Sequence, residues 1–194
     1  VLIDDLRGDG WNVIRHNVSP SASVPTIKSM IVSDYNNDPT NVKAVFILGH
    51  VAVPYSGNIS PSNHSEQMGA WPSDVYYGEL TGNWTDNNFY TNSALRSANH
   101  NVPGDGKFDQ SDLPSDVELQ VGRVDLFDMP AFSGGETQLL VNYLNKAHAY
   151  KQSIIDPQIR AVIFDNFQYL SDPFASSAWR NFGQLVDPSN ITAA

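Results

Sequence analysis

Residues 42–48 read Val-Lys-Ala-Val-Phe-Ile-Leu, and this stretch decides the fold class. Its length and β-branched content predict a central strand that is covered on both faces, as in parallel sheets. Before it, Trp11–Val18 has the pattern of a short strand, and Ser23-Val24-Pro25 opens a helix that ends at 36–39. A strand, a helix and a second strand in this order predict a parallel pair joined by a right-handed crossover. The apolar face of the helix comprises Ile27, Met30, Ile31 and Tyr35.

The rest of the chain adds helices and strands on either side of a long loop. The order of the elements predicts an α/β fold, and the length predicts one domain or one and a fraction. The elements are a helix end at Val1–Arg7, a strand at Val117–Val121, a helix from the capping box Ser133–Glu136 to about Gln152, a buried strand at Ile159–Phe164 and a last helix capped by Asp172-Pro173. The long helix is expected to bury Leu139, Leu140, Tyr143, Leu144, Ala147 and Tyr150.

Between these elements, residues 49–116 form a long loop in which Gly, Pro, Asn, Ser and Tyr dominate and regular structure is not expected. A loop of that length inside a compact domain is usually functional. Its aromatic residues predict either a carbohydrate- or protein-binding surface or a small core packed under the loop, and the pattern favours the core. They are Trp71, Tyr76, Tyr77, Trp84, Phe89 and Tyr90.

The end of the long loop, residues 101–112, has the spacing of a twelve-position calcium loop. Calcium takes six to eight oxygen ligands, and a short, strongly bent segment can supply them. Gly106 stands at position 6, where the chain must turn, and Phe108 stands at position 8. The candidate ligand positions are Asn101, Pro103, Asp105, Lys107, Asp109 and Asp112.

Two of these positions depart from the EF-hand pattern. Pro103 removes the side-chain ligand of position 3, and Asp112 replaces the usual glutamate with a shorter carboxylate. Lys107 at position 7 is compatible with calcium, because that position contributes its backbone carbonyl. The stretch resembles the calcium loop of dockerin modules over these twelve residues; the alternative is a solvated turn without an ion. Possible additional ligands are Asp116, Glu118, Asp86 and Asn88.

Composition limits the function classes. The formal net charge is −10, which argues against nucleic-acid binding and suits a protein that binds calcium. Cysteine is absent, so disulfides and a cysteine nucleophile are excluded from this segment. No apolar run is long enough to span a bilayer. We read the chain as an excised piece of a longer polypeptide.

Five Asn-x-Ser/Thr sequons make glycosylation possible, although accidental matches are the simpler explanation in an Asn-rich chain. If the protein is glycosylated, the loop sites are the expected acceptors. The five asparagines are Asn17, Asn58, Asn63, Asn83 and Asn190.

Polar residues follow several predicted strands. His50 lies at the carboxyl end of the 42–48 strand, where open α/β sheets place their sites, and Asp74, Arg123 and Asp165 could lie near it. Either these residues form a polar site at the sheet edge, or they are hydrogen-bonded anchors of the long loop. The pattern favours anchors, because no known catalytic constellation is complete.

Three motifs occur in an order that resembles the gingipain-type cysteine peptidases of the caspase-like clan. They are Leu48-Gly49-His50 continuing to Val53-Pro54-Tyr55, then Ser73-Asp74-Val-Tyr76-Tyr77-Gly78, then Val121-Gly122-Arg123-Val124 followed by a helix. The resemblance covers about residues 42–164. It implies a three-layer α/β/α architecture with a mainly parallel sheet, an extracellular setting and structural calcium.

The same resemblance assigns no activity to this segment. The family's catalytic His stands in a Gly-His-Gly context and its Cys ends a later strand, and this chain has neither feature. His50 corresponds to a strand-end Asp of the family, so it is not matched to the catalytic His. The resemblance therefore implies a non-catalytic leading subdomain at 1–155, followed by the first strand and helix of a second, truncated subdomain at 156–194.

Three functional hypotheses follow. The first is a calcium-stabilised, non-catalytic domain of a secreted or cell-surface bacterial protein, which supports a downstream domain of the same polypeptide. The second is a portion of an active extracellular cysteine peptidase whose His/Cys dyad lies downstream. The third is a glycosylated structural or adhesive subunit of a surface polymer that self-associates.

Overall fold

The computed structural model describes residues 1–60, 63–88, 93–164 and 174–193. Contacts divide the chain into two compact units, one of residues 6–144 and one of residues 1–5 with 145–194. The helices are α1 (Leu2–Gly8), α2 (Val24–Asn37), α3 (Glu136–Lys151) and α4 (Phe174–Phe182). The strands are β1 (Ala44–Leu48), β2 (Tyr55–Ile59), β3 (Gly69–Pro72), β4 (Gln120–Val124), β5 (Ala161–Ile163) and β6 (Ile191–Ala193). Short 3₁₀ turns lie at Ser65–Gln67, Asp74–Tyr77, Ser97–Asn99 and Pro188–Asn190.

The larger unit is organised by a parallel pair of strands, β1 and β4. Ala44 pairs with Gln120 and Leu48 pairs with Val124. The Gly49 amide donates to the Val124 carbonyl at 2.9 Å, so the ladder continues one residue past β1. Helices combined with small parallel sheets are compatible with the predicted α/β fold.

The predicted partner of β1 was wrong. Residues 11–18 contain no helix or strand, and β1 pairs with β4. Side chains hold this segment in place: Val18 packs on the core, and the His16 imidazole lies 2.6 Å from the Asp34 carboxylate of α2. These contacts stabilise the segment through α2, without the backbone ladder that a third strand would need.

The predicted double coverage of β1 was also wrong. Ile47 is buried on one face of the strand, whereas Phe46 on the opposite face is 46% exposed. Successive side chains of a strand point to opposite faces, so only one face of this small sheet is well covered.

The core of the larger unit combines β1 and α2 with residues of the long loop. Its buried members are Ile27, Ile47, Tyr76, Tyr77 and Phe108. The loop therefore contributes three of the five, and all three are aromatic.

Helix α2 follows its sequence signals closely. The Ser23 hydroxyl caps the first turn by accepting from the Thr26 amide, and Pro25 sits in that turn, where its missing N–H costs nothing. At the other end the Asp38 amide donates to the carbonyls of Asp34 and Tyr35 and ends the helix. The predicted bounds and the predicted buried Ile27 are confirmed.

Strand β4 begins three residues later than the predicted strand at 117–121. The amides of Glu118 and Leu119 both donate to the Gly78 carbonyl at 3.0 Å, which keeps these residues out of the ladder with β1. Only glycine fits at position 78, because a Cβ there would lie 2.4 Å from the Leu119 carbonyl oxygen.

The long loop contains more regular structure than predicted. Strands β2 and β3 pair antiparallel, with Tyr55 opposite Pro72 and Ile59 opposite Gly69, and the register shifts between Ser56 and Ile59. Ser56 also bridges to Phe108, so the two ends of the loop meet. Gly57 adopts φ 91°, a left-handed conformation that explains a glycine at the irregularity.

Helix α3 matches the predicted bounds within a residue at its C-terminal end, but not the predicted burial. None of its residues is fully buried, and Tyr143 and Tyr150 are 37% and 61% exposed. The predicted capping box is replaced by a longer-range contact, because Glu136 accepts from the His50 amide at 2.7 Å.

The smaller unit has its own parallel pair, β5 and β6, with Val162 opposite Thr192. One face of β5 packs on a small core of Ile163, Val186 and Ile191. The predicted strand at 159–164 forms only over 161–163, and it is not buried as expected: Val162 and Phe164 are 66% and 72% exposed. Asp165 and the predicted cap Asp172-Pro173 lie outside the described residues.

Candidate functional site

Arg123, near the end of β4, is the centre of the polar group at the carboxyl ends of β1 and β4. Its Nε and Nη2 atoms donate to the two carboxylate oxygens of Asp74, at 2.7 and 2.8 Å. Its Nη1 and Nη2 atoms also donate to the carbonyls of Val51 at 2.6 Å and Ala52 at 3.2 Å. Arg123 thus joins the strand end, the segment after β1 and the turn at 74–77, as a loop anchor would.

His50 belongs to the same sheet edge but makes different contacts. Its Nδ1 lies 2.9 Å from the Asp125 carboxylate, and its ring stacks on Phe127 with centroids 4.0 Å apart. Asp125 also lies 3.8 Å from Arg123, which connects the two groups. The sequence missed Asp125, which directly follows β4 but lies four residues beyond the predicted strand at 117–121.

The pKa of Asp125 reflects this setting. Burial opposes the charged form, but hydrogen bonds from the Phe127 amide and from His50 outweigh it, so the pKa is lowered. The His50–Asp125 pair could orient an imidazole for proton transfer. The described contacts of His50 run to Asp125, Phe127 and Glu136, and none of these is a nucleophile of acyl transfer.

A second group surrounds Glu79, a fully buried carboxylate that the sequence analysis did not single out. Its Oε1 accepts from the Thr81 amide at 3.0 Å, from the Gly82 amide and from the Ser115 hydroxyl, and its Oε2 accepts from the Trp84 indole. Burial alone would raise the pKa of Glu79, yet these hydrogen bonds lower it. Every donor comes from the long loop, so Glu79 shapes that loop.

Lys28 of α2 covers the same region from the other side. Its ammonium donates to the carbonyls of Tyr76 and Glu79 and lies 4.5 Å from the centroid of the Tyr76 ring. Burial lowers its pKa to about 8, although the nearby carboxylates of Glu79 and Glu118 oppose this shift. The contact fixes α2 to the turn at 74–77.

Four aromatic residues of the loop form a core: Tyr76, Tyr77, Trp84 and Phe108. Tyr76 stacks on Phe108 with centroids 4.4 Å apart, and Trp84 packs edge-on against both rings. Tyr77 is fully buried and donates from its hydroxyl to the Ala52 carbonyl at 2.7 Å. The predicted small core is therefore confirmed for Tyr76, Tyr77 and Trp84, while Phe89 and Tyr90 lie outside the described residues.

The predicted calcium loop bends at two glycines, Gly104 (φ 82°) and Gly106 (φ 85°). The amides of both donate to the Asp86 carboxylate, at 2.7 and 2.8 Å. Alternating amides on such a bend make a concave anion site. Asp86, expected as a possible calcium ligand, thus accepts hydrogen bonds from the loop backbone.

Asp105 and Lys107 face each other within this loop. Asp105 accepts from the Lys107 amide at 2.9 Å, from the Val102 amide at 3.2 Å and from the Lys107 ammonium at 3.0 Å. That ammonium also donates to the His100 carbonyl. Burial opposes ionisation of Asp105, but the contacts with Lys107 and Val102 lower its pKa.

Asp109 is buried and holds the segment at 85–88. It accepts from the Thr85 hydroxyl at 2.7 Å, the Asn87 amide at 3.0 Å and both the amide and the side chain of Asn88. These bonds lower its pKa against the effect of burial. Asp109 and Asn88, both expected near calcium, are thus hydrogen-bonded to each other.

The other predicted ligand positions are dispersed. Asn101 is buried, and its side-chain amide donates to the carbonyls of Gly57 and Phe108. Glu118 binds the Leu80 amide at 2.6 Å and the Thr81 hydroxyl at 3.0 Å. Three further positions are exposed: Pro103, Asp112 and Asp116.

These contacts test how well the loop fits calcium. Within the described residues, no group of three or more His, Asp or Glu side chains comes together to hold a metal ion. The carboxylates of Asp86, Asp105 and Asp109 are each directed at N–H or O–H donors. The arrangement does not fit calcium as it stands, and calcium binding remains a prediction.

The sequon asparagines differ in accessibility. Four side chains are exposed: Asn17, Asn63, Asn83 and Asn190. Asn58 is partly buried, and its side-chain oxygen is buried without a hydrogen-bond partner. Glycosylation therefore has four accessible candidates and one poor one.

Comparison of the chain with protein-family models, with curated proteins and with solved structures finds no match. The gingipain resemblance consequently rests on the three motifs alone. In the structure, the middle and last of these motifs meet through Asp74 and Arg123. A search of the described residues for a helix of the length and apolarity that a bilayer requires finds none.

Proposed function

We propose that this chain is a non-catalytic α/β domain of a secreted or cell-surface bacterial protein of the gingipain-like kind, and that it supports a further domain of the same polypeptide. The bare face of β5 carries this proposal. Val162 on that face is 66% exposed, and Phe164, the residue after β5, is 72% exposed, although parallel strands are normally covered on both faces. A covering domain would bury them.

The polar residues at the sheet edge support a structural role. Arg123 uses its guanidinium on Asp74 and on two backbone carbonyls, which are the contacts of an anchor. Glu79 and Asp109 likewise direct their carboxylate oxygens to donors within the loop. Residues used in this way stabilise the loop, and among the residues that the structure describes they do not complete a catalytic constellation.

The direct test compares amide exchange of Val162 in the 194-residue chain and in the native polypeptide that contains it. We expect strong additional protection of residues 161–164 in the native polypeptide, with residues 44–48 as an internal reference that does not change. Equal exchange in the two proteins would contradict the proposal, because no domain would then cover this face.

Two other proposals remain from the sequence. If the native polypeptide is an active extracellular cysteine peptidase, it should cleave a fluorogenic peptide substrate, and a thiol-directed inhibitor should abolish that cleavage. A glycosylated, adhesive surface subunit would show occupied sequons at Asn63 or Asn83 and self-association in sedimentation. The four exposed sequon asparagines are the observation that favours this last proposal.

A further inference from the structure

The loop at residues 100–109 contains a cation of its own. The Lys107 ammonium lies between the Asp105 carboxylate, at 3.0 Å, and the His100 carbonyl. The side chains of Lys107 and Asp105 are 22% and 19% exposed, although Asp105 as a whole residue lies at the surface. A charge-assisted hydrogen bond in such a setting is stronger than one on an open surface.

The orientation of the backbone agrees with this role. A calcium loop turns carbonyl and carboxylate oxygens toward the ion. Here the amides of Gly104 and Gly106 point to the Asp86 carboxylate, while Asp105 accepts amides from within the loop. The amides of the bend thus bind an anion, the Asp86 carboxylate. Its oxygens bind a cation, the Lys107 ammonium.

We infer that Lys107 is the resident cation of this loop and takes the place that calcium holds in the loops whose sequence pattern it shares. The lysine binds oxygens from two turns of the chain, His100 before the bend and Asp105 within it. Its pairing neutralises the carboxylate that would otherwise be the central ligand of an ion. The loop therefore folds without added metal, independently of the proposed support function.

Thermal unfolding of the whole chain tests the inference, with Lys107→Gln compared with Lys146→Gln as the matched control. Both variants lose one positive charge, and Lys146 is exposed on α3. In EDTA we expect Lys107→Gln to lower Tm by about 2–4 °C or more, the shift that corresponds to a moderate local loss in a chain of this size. The control should leave Tm unchanged.

Calcium chloride supplies the second arm. For the wild type we expect the same Tm in EDTA and in millimolar calcium, because a ligand that does not bind the folded state cannot raise its stability. A calcium-dependent rise in the wild-type Tm, abolished by Asp105→Asn, would overturn the inference and establish the metal site. Equal Tm values for Lys107→Gln and the control would overturn it as well.

If Lys107→Gln does not fold, Lys107→Arg keeps the test decisive. This variant retains the charge but changes the donor geometry. It should remain folded, with faster exchange of the backbone amides at positions 102 and 107. Those two amides bond to Asp105 and report on its position. Unchanged exchange at both would contradict a positioning role for the ammonium.

Discussion

Arg123 and Asp74 form a two-pronged ion pair, with donor–acceptor distances of 2.7 and 2.8 Å, across 49 positions of sequence. Arg123 is 13% exposed and Asp74 is 29% exposed, so the pair is only partly hydrated. The planar guanidinium matches the carboxylate and still reaches two carbonyls, which a lysine could not do. The pair therefore fixes the turn at 74–77 to the end of β4.

Arg123→Lys should destabilise the larger unit. The variant keeps the charge but loses the fork on Asp74 and at least one carbonyl contact, and we expect a loss of about 2–3 kcal/mol, below the full cost of breaking a fully buried pair. Urea unfolding followed by tryptophan fluorescence measures it. Arg7→Lys, at an exposed position of α1, should change little; equal effects of the two variants would refute the anchor role.

Glu79→Gln should destabilise the loop by about 2–4 kcal/mol, because a neutral amide replaces a carboxylate that accepts several hydrogen bonds and turns its NH₂ group toward donors. Wild-type stability should also fall in acid. The pKa of Glu79 is lower in the folded chain than its ordinary value of 4.5. The contribution of Glu79 to stability is therefore complete above pH 4.5 and is lost as pH falls through the folded pKa.

Unfolding free energies measured between pH 3 and 7 check this expectation. The acid-dependent loss should be smaller in Glu79→Gln, which has no carboxyl group to titrate at that position. A pH profile of the variant that parallels the wild type would show that other carboxylates account for the whole acid effect.

Lys28 should give a dependence of the same sign, but at alkaline pH. Its pKa is lowered to about 8 in the folded chain, from an ordinary value of 10.5, so the unfolded chain binds more protons between these values. Stability should therefore rise with pH over that window. Lys28→Met should flatten the rise, and measurements between pH 7.5 and 9.5 avoid the titration of Tyr76 and Tyr77, whose pKa values are raised.

Val162→Asp and Ile163→Asp should separate the two faces of β5. Val162 is 66% exposed and Ile163 is 6% exposed. In the 194-residue chain we expect Val162→Asp to cost about 1 kcal/mol or less, while Ile163→Asp should unfold the smaller unit, because it buries an unpaired charge. Trp179 fluorescence follows this unit. Comparable losses of stability in the two variants would mean that the Val162 face of β5 is covered in the 194-residue chain.

Phe108→Ala should be among the most damaging changes in the loop. Phe108 stacks on Tyr76 and contacts Trp84, and truncation of a buried phenylalanine typically costs about 3–5 kcal/mol. Phe108→Leu should recover part of the loss. Near-ultraviolet circular dichroism, which reports the packing of aromatic rings, distinguishes a disordered aromatic core from simple loss of stability.

The sequence predicted those features reliably that depend on residues close together in the chain. Ser23 and Pro25 fixed the start of α2, and apolar spacing identified Ile27 as its buried residue. The glycine turn of the 101–112 segment was also predicted from spacing, and Gly106 adopts positive φ. Each of these features involves residues within one or two turns of chain.

The failures involve long-range partners. Nothing near 42–48 indicates that its partner is 120–124 and not 11–18, because both candidates are short β-forming segments of similar pattern. The role of Glu79 depends on donors at 81, 82, 84 and 115, and their convergence follows from the folded loop. Asp86 escaped a firm assignment for the same reason, since its partners Gly104 and Gly106 lie 18 and 20 positions away.

The pairing of Ala44 with Gln120 also has a consequence for biosynthesis. At ribosomal rates of about 5–20 residues per second, β1 emerges roughly 4–15 s before its partner strand has been made. During that interval its backbone is an unpaired edge that can recruit other chains. Contacts that close early, such as those of Glu79 with residues 81–84, would shorten the search that follows. The whole long loop is thus synthesised before β1 can pair with β4.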